Sequence, residues 1–325
     1  MVVCCTATYT NAEVTMDKSN NSIRVLTNGS LFAEYRTASG GQPVIWPIIG
    51  PTGTQYTRSY PVGARLESER ADHPHHQSLW FAHGDVNGHD FWHNTILESE
   101  TEIRHSDFME ISSVGNLGTV ISKNKWIAEG KHLLSDTRRI HFGVEADLRW
   151  IDITIKLTAV EEDVQFGDTK EGTFAVRVAG SMKVDSAGRG KILNSLGQRN
   201  ENAWGTPAEW VDYCGPIAGE TVGIAIMCHP ESFRHPTRWH VRPYGLFAAN
   251  PFGEADFLPA PKKQGTFVLK HGEMLCLRYR VLFHKGNTCE AGIEEQYKVF
   301  AADDIGSCSH PRNTKLLVEK AIERR

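Results

Sequence analysis

The chain has 325 residues, 40% of them hydrophobic and 23% charged, which is ordinary for a soluble globular protein and enough to bury a substantial core. Thirty-five Lys+Arg against 39 Asp+Glu leave a formal charge of −4, so no bulk attraction to nucleic acid or acidic membrane is expected. No apolar run reaches 18 residues, which argues against a helical membrane span.

The opening MVVCCTATYTNAEV lacks a basic segment and its apolar run is broken by threonines, so it reads as a poor signal peptide. The cysteines at 4, 5, 214, 228, 276, 289 and 308 are odd in number, widely spaced and without a C-x-x-C. That pattern predicts free thiols in a reducing compartment, and the cytoplasm is the expected address.

Short alternating segments follow one another along the chain. Ile23–Leu26 and Leu31–Tyr35 flank Asn28-Gly29, a hairpin signal. Pro43 to Pro61 is rich in Pro, Gly and Thr and reads as a loop. Strands are predicted over Glu100–Ser113, as a pair between Val120 and His141, and most clearly over Trp150–Thr158, where Ile151, Ile153, Ile155 and Leu157 share a face. Further strands are expected over Gly172–Lys183, Thr221–Cys228, Arg238–Ala248, Thr266–Lys270 and Met274–His284. Helical spacing is limited to Cys289–Asp303, and Lys315–Arg325 reads equally as a terminal basic helix or a loose tail. Many strands and few helices predict an all-β fold, a large antiparallel β-sandwich over 1–303 as one domain with a C-terminal tail over 304–325. A division near Val160, where Glu161-Glu162-Asp163 breaks the pattern, is the alternative.

Asp72 to His93, DHPHHQSLWFAHGDVNGHDFWH, holds six of the fifteen histidines. Histidine titrates near neutral pH, ligates metals and moves protons, and so many in one segment predict the wall of a polar site. Pro74 bars a helix and is expected to hold His73 extended, with His73 and His75 pointing one way and His76 the other. Ser78 to His83 reads as a strand. His89 and His93 lie beyond the turn and are expected to be structural or exposed. Three chemistries compete: a divalent ion held by two or three of His73, His75, His76 and His83 with a carboxylate, acid–base catalysis without metal, and simple substrate binding. For each histidine taken singly, a buried hydrogen-bonded role is the alternative.

Three more regions carry candidate groups. In DTKEGTFAVR, Glu171 and Arg177 would share a strand face as a base and its charge partner, or form a solvated ion pair that contributes little. In NENAWGTPAEWVDYCG, Trp204, Trp210 and Tyr213 beside Glu209 and Asp212 would suit a sugar ring or an ordinary covered loop. In TRWHVRPYGLFAANPFG, Arg238, His240, Arg242 and Tyr244 alternate as the floor of a site, and Pro243 marks an edge or strand end. No phosphate-binding loop, dinucleotide fingerprint or G-x-S-x-G elbow occurs, so no nucleotide cofactor is expected.

The runs DHPHHQSLWFAHGDVNGHDFW, KEGTFAVRVAG, ENAWGTPAEWVDYCG and RWHVRPYGLFAANPFG resemble the bacterial family labelled PmoA-like, over about Ile23 to His284. The label comes from a methane oxygenase subunit, a membrane protein, and the missing apolar span separates this chain from it. The resemblance implies a galactose-mutarotase-like supersandwich and carbohydrate chemistry, and it carries over no catalytic residues.

The expected function is therefore an enzyme acting on a sugar or keto-sugar as a lyase, epimerase or glycoside-cleaving catalyst. A non-catalytic carbohydrate-binding protein is the alternative, and a histidine-ligated metal-dependent oxygenase ranks below both. His73, His75, His76, Glu171 and His240 are the expected acid–base groups. Trp80, His83, Arg177, Trp210, Arg238, Arg242, Tyr244 and Asn250 are the expected binding groups. The sequence assigns no cofactor; one divalent ion, with His73, His75 and His76 as candidate ligands, is the alternative to none, and the partner is a small sugar-like molecule, with no nucleic acid or membrane.

Overall fold

A computed structural model describes residues 12–94, 100–185, 189–259, 265–304 and 308. In chain order the strands are β1 (Val14–Lys18), β2 (Ser22–Thr27), β3 (Ser30–Ser39), β4 (Gln42–Ile48), β5 (Leu79–His83), β6 (Thr101–Val114), β7 (Leu117–Ala128), β8 (Lys131–Glu145) and β9 (Leu148–Ala159). They continue with β10 (Val164–Phe166), β11 (Gly172–Arg177), β12 (Lys191–Asn194), β13 (Trp210–Ile217), β14 (Glu220–Cys228), β15 (Arg238–Val241), β16 (Leu246–Asn250), β17 (Phe267–Leu269) and β18 (Met274–Lys285), before the one α-helix among the described residues, α1 (Ile293–Ala301).

Two eight-stranded antiparallel sheets result, ordered β1-β2-β3-β4-β5-β11-β16-β15 and β12-β13-β14-β18-β9-β8-β7-β6, with β10 and β17 pairing separately. Each sheet draws strands from both sides of Val160. The local causes are simple. Asn28 and Gly29 both take positive φ, 48° and 76°, as the tight turn between β2 and β3 requires. Along β9 the residues Ile151, Ile153, Ile155 and Leu157 are buried while Asp152, Lys156 and Thr158 are partly exposed, the period of two that a half-buried strand shows.

Aromatic contacts bind the facing sheets. Phe32 of β3 meets Phe142 of β8 edge-on at 6.0 Å, Phe81 of β5 meets Trp126 of β7 at 5.7 Å, and Phe174 of β11 stacks on Tyr279 of β18 at 4.8 Å. The core also holds an ion pair. Asp136 accepts from Asn124 Nδ2 at 2.6 Å, from Trp126 Nε1 at 2.7 Å, and from Arg138 through two bonds of 3.0 Å. With both partners buried, the pair survives because each carboxylate oxygen is satisfied twice. On the outer face of the second sheet, α1 packs Ile293, Tyr297 and Phe300 against Trp210, Met227 and Leu282.

Several expectations shift. The expected loop from Pro43 contains β4, whose buried Val44, Ile45 and Ile48 outweigh its prolines. The expected strand over 238–248 divides at a tight turn, where Gly245 takes φ 102°, into β15 and β16. The strand from Gly172 ends at Arg177. The free-thiol reading fails for Cys276 and Cys308, which form a disulfide joining β18 to the segment beyond α1, and holds for Cys214, Cys228 and Cys289. Cys4, Cys5 and the terminal helix or tail over 315–325 lie outside the described residues. Among the described residues no helix is long and apolar enough to cross a membrane.

The buried pair yields a stability prediction. Asp136→Asn leaves Arg138 without its counter-charge and should cost about 3–5 kcal/mol, read as a lower urea midpoint. A loss within experimental error would mean that Arg138 finds water or another partner.

Candidate functional site

The site begins in the register of the first sheet. Trp80, Ala175, Ala248 and His240 stand opposite one another across β5, β11, β16 and β15 on the face turned away from the inter-sheet core. Two alanines between two large rings leave room over the middle strands, and loop side chains fill it.

The first loop is the segment Asp72–His76. It is not extended: the His76 N–H donates to the His73 carbonyl at 2.9 Å, closing a turn with Pro74 and His75 at its centre. His73 takes φ 44° and Ser78 φ 61°, in the left-handed region that side chains disfavour, so surrounding contacts must hold them there. Buried Arg58 does much of this, donating to the carbonyls of Asp72 (2.9 Å), His73 (2.8 Å) and His76 (3.1 Å) and to Asp72 Oδ1 (2.6 Å). Arg177 of β11 donates to the same Oδ1 at 2.9 Å and to His76 Nδ1 at 2.9 Å.

This second bond sets a tautomer. A guanidinium can only donate, so His76 Nδ1 accepts, and the ring proton sits on Nε2. On the other side of the site His240 Nδ1 lies 3.0 Å from the Lys170 carbonyl, which can only accept, so there the proton sits on Nδ1 and Nε2 carries the lone pair. His93 Nδ1 lies 2.7 Å from Asp90 Oδ2, while Asp90 Oδ1 accepts the N–H groups of Trp92 and His93. Backed this way, His93 has the orientation of a proton carrier whose Nε2 is free to work.

Rings stack along one wall. Tyr244 lies parallel to His73 at 5.2 Å, His73 to His76 at 4.8 Å, and His76 over Trp80 at 5.4 Å. His75 turns across this stack, 4.3 Å from His76 and 4.4 Å from His93. Together His73, His75, His76, His93, Lys170, Glu171, His240, Arg242 and Tyr244 line one cavity of about 340 Å³, within the usual range for small-molecule sites. Glu171 enters from the loop before β11. Its carbonyl accepts from Gly84 N–H at 2.8 Å, its N–H donates to Thr169 Oγ1 at 3.1 Å, and Lys170 Nζ lies 3.3 Å from its carboxylate. A Cβ at Gly84 would lie 3.0 Å from both the Cβ and the carbonyl of Glu171, so a glycine there gives this approach room.

The five expected acid–base residues thus meet in one cavity, with Arg242 and Tyr244 beside them. The other expected binding residues do not line it. Trp80 lies beneath His76, and Arg177 works from behind through His76 and Asp72. His83 is buried and uses Nε2 on the Gly167 carbonyl at 2.9 Å, and Asn250 donates to the Thr169 carbonyl at 2.8 Å; both brace the loop that carries Glu171. Arg238 is spent on the Gly205 carbonyl at 2.9 Å. Trp210 belongs to the second sheet and donates to Glu294 of α1 at 3.0 Å. His93, expected to be structural or exposed, is a lining residue; the Asp90-x-x-His93 spacing was the available signal.

A family model described as a family of unknown function, DUF6807, matches residues 22–298. The chain belongs to this family. The match carries no methane-oxygenase label. No curated protein matches the sequence. Among solved structures, the DUF6807 chain is similar to the galactosidase domain of an alpha-galactosidase–sucrose kinase, at 10% identity over 84% of this chain and 41% of that one, TM-score 0.39. It is also similar to galactose mutarotase-like proteins from Lactobacillus casei (11%, covering 83% and 100%, TM-score 0.35) and Clostridium acetobutylicum (11%, covering 85% and 99%, TM-score 0.39). The chain spans 41% of the first of these, and similarity at this level assigns no chemistry.

The electrostatics of the DUF6807 site separate its histidines. Burial, assisted by His93 and His73, pushes His75 down to about 3, and burial with the Arg242 charge does the same to His240. Burial beside His75 and Arg177 lowers His76 well below its ordinary value. His93 is raised, chiefly by its bond to Asp90. Near neutral pH His75, His76 and His240 are therefore held neutral, while His93 is inclined to charge. The donor set does not favour a metal on His73, His75 and His76: the parallel stack of His73 on His76 does not aim their nitrogens at one point, and His76 Nδ1 is already occupied. Among the described residues these three form no group of converging ligand atoms.

Neutral buried histidines make the fold acid-labile, and the sign is fixed. His75 and His240 near 3 and His83 near 4 lie below the ordinary 6.5, so the unfolded chain binds protons first as pH falls. Their stabilisation is full above about 6.5 and drains away toward pH 4. Urea midpoints measured from pH 7 to 4.5 should fall steadily, and less steeply in His240→Asn, whose side-chain amide keeps a donor for the Lys170 carbonyl. Equal slopes in the two proteins would remove His240 from this account.

Proposed function

We propose that this DUF6807 member is an enzyme that moves a proton beside the carbonyl or carboxyl carbon of an oxidised sugar, as an epimerase or lyase. The observation that carries the reading is the pairing of Asp90-backed His93 with Glu171 in one cavity otherwise lined by histidines, Tyr244, Lys170 and Arg242. A lining so rich in donors and acceptors suits a polyhydroxylated ligand, the flat Tyr244–His73 stack suits a ring face, and the excess of cations suits an anionic group.

In this reading Glu171 takes the proton from carbon. The electron pair left behind delocalises onto the carbonyl oxygen, where Arg242, Lys170 and the Nε2–H of His76 stabilise the enolate. The His93 imidazolium then returns a proton to carbon, giving the epimer, or to a departing hydroxyl or alkoxide on the next carbon, completing an elimination. His240 Nε2 accepts from a substrate hydroxyl and orients it.

Two experiments test this. Uronates and keto-sugars should exchange the hydrogen on the carbon beside the carbonyl with deuterium oxide, read by NMR, while neutral glycosides should not. Glu171→Gln and His93→Asn should each slow exchange about 10²–10⁴-fold. Binding without exchange would establish a carbohydrate-binding protein instead, and undiminished exchange in both variants would sink the acid–base assignment. Because Asp90 raises His93, an essential acid there stays protonated past the ordinary histidine range and activity falls as pH rises through the raised value. Asp90→Asn should move that alkaline limb to lower pH, and an unmoved limb would exclude His93 as the acid.

A further inference from the structure

On the second sheet, away from the cavity, Asp212 and Cys214 of β13 and His284 of β18 meet beneath the segment that leads into α1. All three are buried. Cys214 Sγ lies 3.0 Å from Asp212 Oδ2, and His284 Nε2 lies 3.1 Å from Asp212 Oδ1, so the ligand atoms of all three lie within 4.8 Å of one another. Register explains the meeting. Cys214, Gly223 and His284 stand in one row across β13, β14 and β18, and a Cβ at Gly223 would lie 2.2 Å from the His284 ring and 3.0 Å from the Cys214 sulfur. The two side chains lean together over a position only glycine leaves open.

We infer that Asp212, Cys214 and His284 form a buried zinc site. Thiolate, imidazole and carboxylate together are the donors that borderline-soft zinc prefers, while calcium and magnesium take oxygen. Zinc bonds of about 2.0–2.3 Å set neighbouring tetrahedral ligands about 3.3–3.7 Å apart, so the two separations from Asp212 need to open by only a few tenths of an ångström, and all three ligand atoms already lie within 4.8 Å of one another. His284 Nδ1 lies 3.1 Å from the Lys285 carbonyl and donates to it, the outer bond that leaves Nε2 as the metal-binding nitrogen. The Thr288 hydroxyl, 3.8 Å from Cys214 Sγ, leaves the fourth position to itself or to a water. A divalent ion balanced by one thiolate and one carboxylate adds no net charge to this buried space. The ion would tie two strands to the approach of α1. The competing arrangement is a metal-free network in which the thiol donates to Asp212 and the His284 ring pairs with it.

The test uses the full chain stripped with a chelator. Zinc added alone should raise the thermal midpoint, and cobalt in its place should give a thiolate-to-cobalt charge-transfer band in the near ultraviolet. Cys214→Ser should abolish the band and the midpoint rise, and Gly223→Ala should do the same by crowding the ligands. Cys289→Ser, which alters an exposed thiol nearby, should keep both. Stripped wild-type protein that stays folded and shows neither response overturns the site, as does a band lost in Cys289→Ser and kept in Cys214→Ser. The wild-type measurement decides the matter even if a variant fails to fold. It is also separate from the sugar chemistry, since no turnover is read.

Discussion

Arg58 and Arg177 are both buried and both donate to Asp72 Oδ1, and the histidine wall depends on that shared carboxylate. Without it, two guanidiniums would face each other in a low-dielectric space, a cost of several kcal/mol. With it, the two cations hold Asp72 below the usual carboxylate range although its own burial pushes the other way. The fixed cations then do separate work. Arg58 ties three carbonyls and makes a left-handed turn at His73 tolerable, while Arg177 fixes which nitrogen of His76 bears the proton. A rigid turn and a chosen tautomer are the kind of pre-organisation that lets an active site act without rearranging.

The sheets were legible because their causes are local. Alternation along β9, the Asn28-Gly29 turn and the helical spacing of Ile293, Tyr297 and Phe300 each follow from neighbours in sequence. The convergence of His73, His75, His76, Glu171 and His240 was also readable, since polar rings and charges on predicted strand faces need somewhere to go. What could not be read was which side of a side chain faces the cavity. His83 and Asn250 have the right chemistry, yet loop carbonyls claim it, and those carbonyls lie far away in sequence. The proline before His75 suggested an extended chain. A turn formed instead, because distant Arg58 supplied donors that no local pattern announces.

His93 shows the same limit from the other side. Beyond a predicted turn it read as incidental, but Asp90, three residues earlier, accepts its ring nitrogen and two backbone N–H groups at once. That short motif is local and was available. Its meaning depended on His75, four residues before the strand, arriving 4.4 Å from the ring. Local geometry made the dyad, and tertiary structure gave it a cavity to face.

The division of the histidines by charge follows from depth more than from type. His75, His76 and His240 are buried among rings and cations, where the protonated form is expensive, so they act as fixed dipoles near neutral pH. His93 is only half-buried and has the Asp90 carboxylate against it, which holds it toward the charged form. A cavity in which every ring titrated near neutral pH would change its charge with each small shift in conditions. Holding His75, His76 and His240 neutral leaves their dipoles constant while a proton moves on His93, and the shared Asp72 carboxylate keeps His76 aimed.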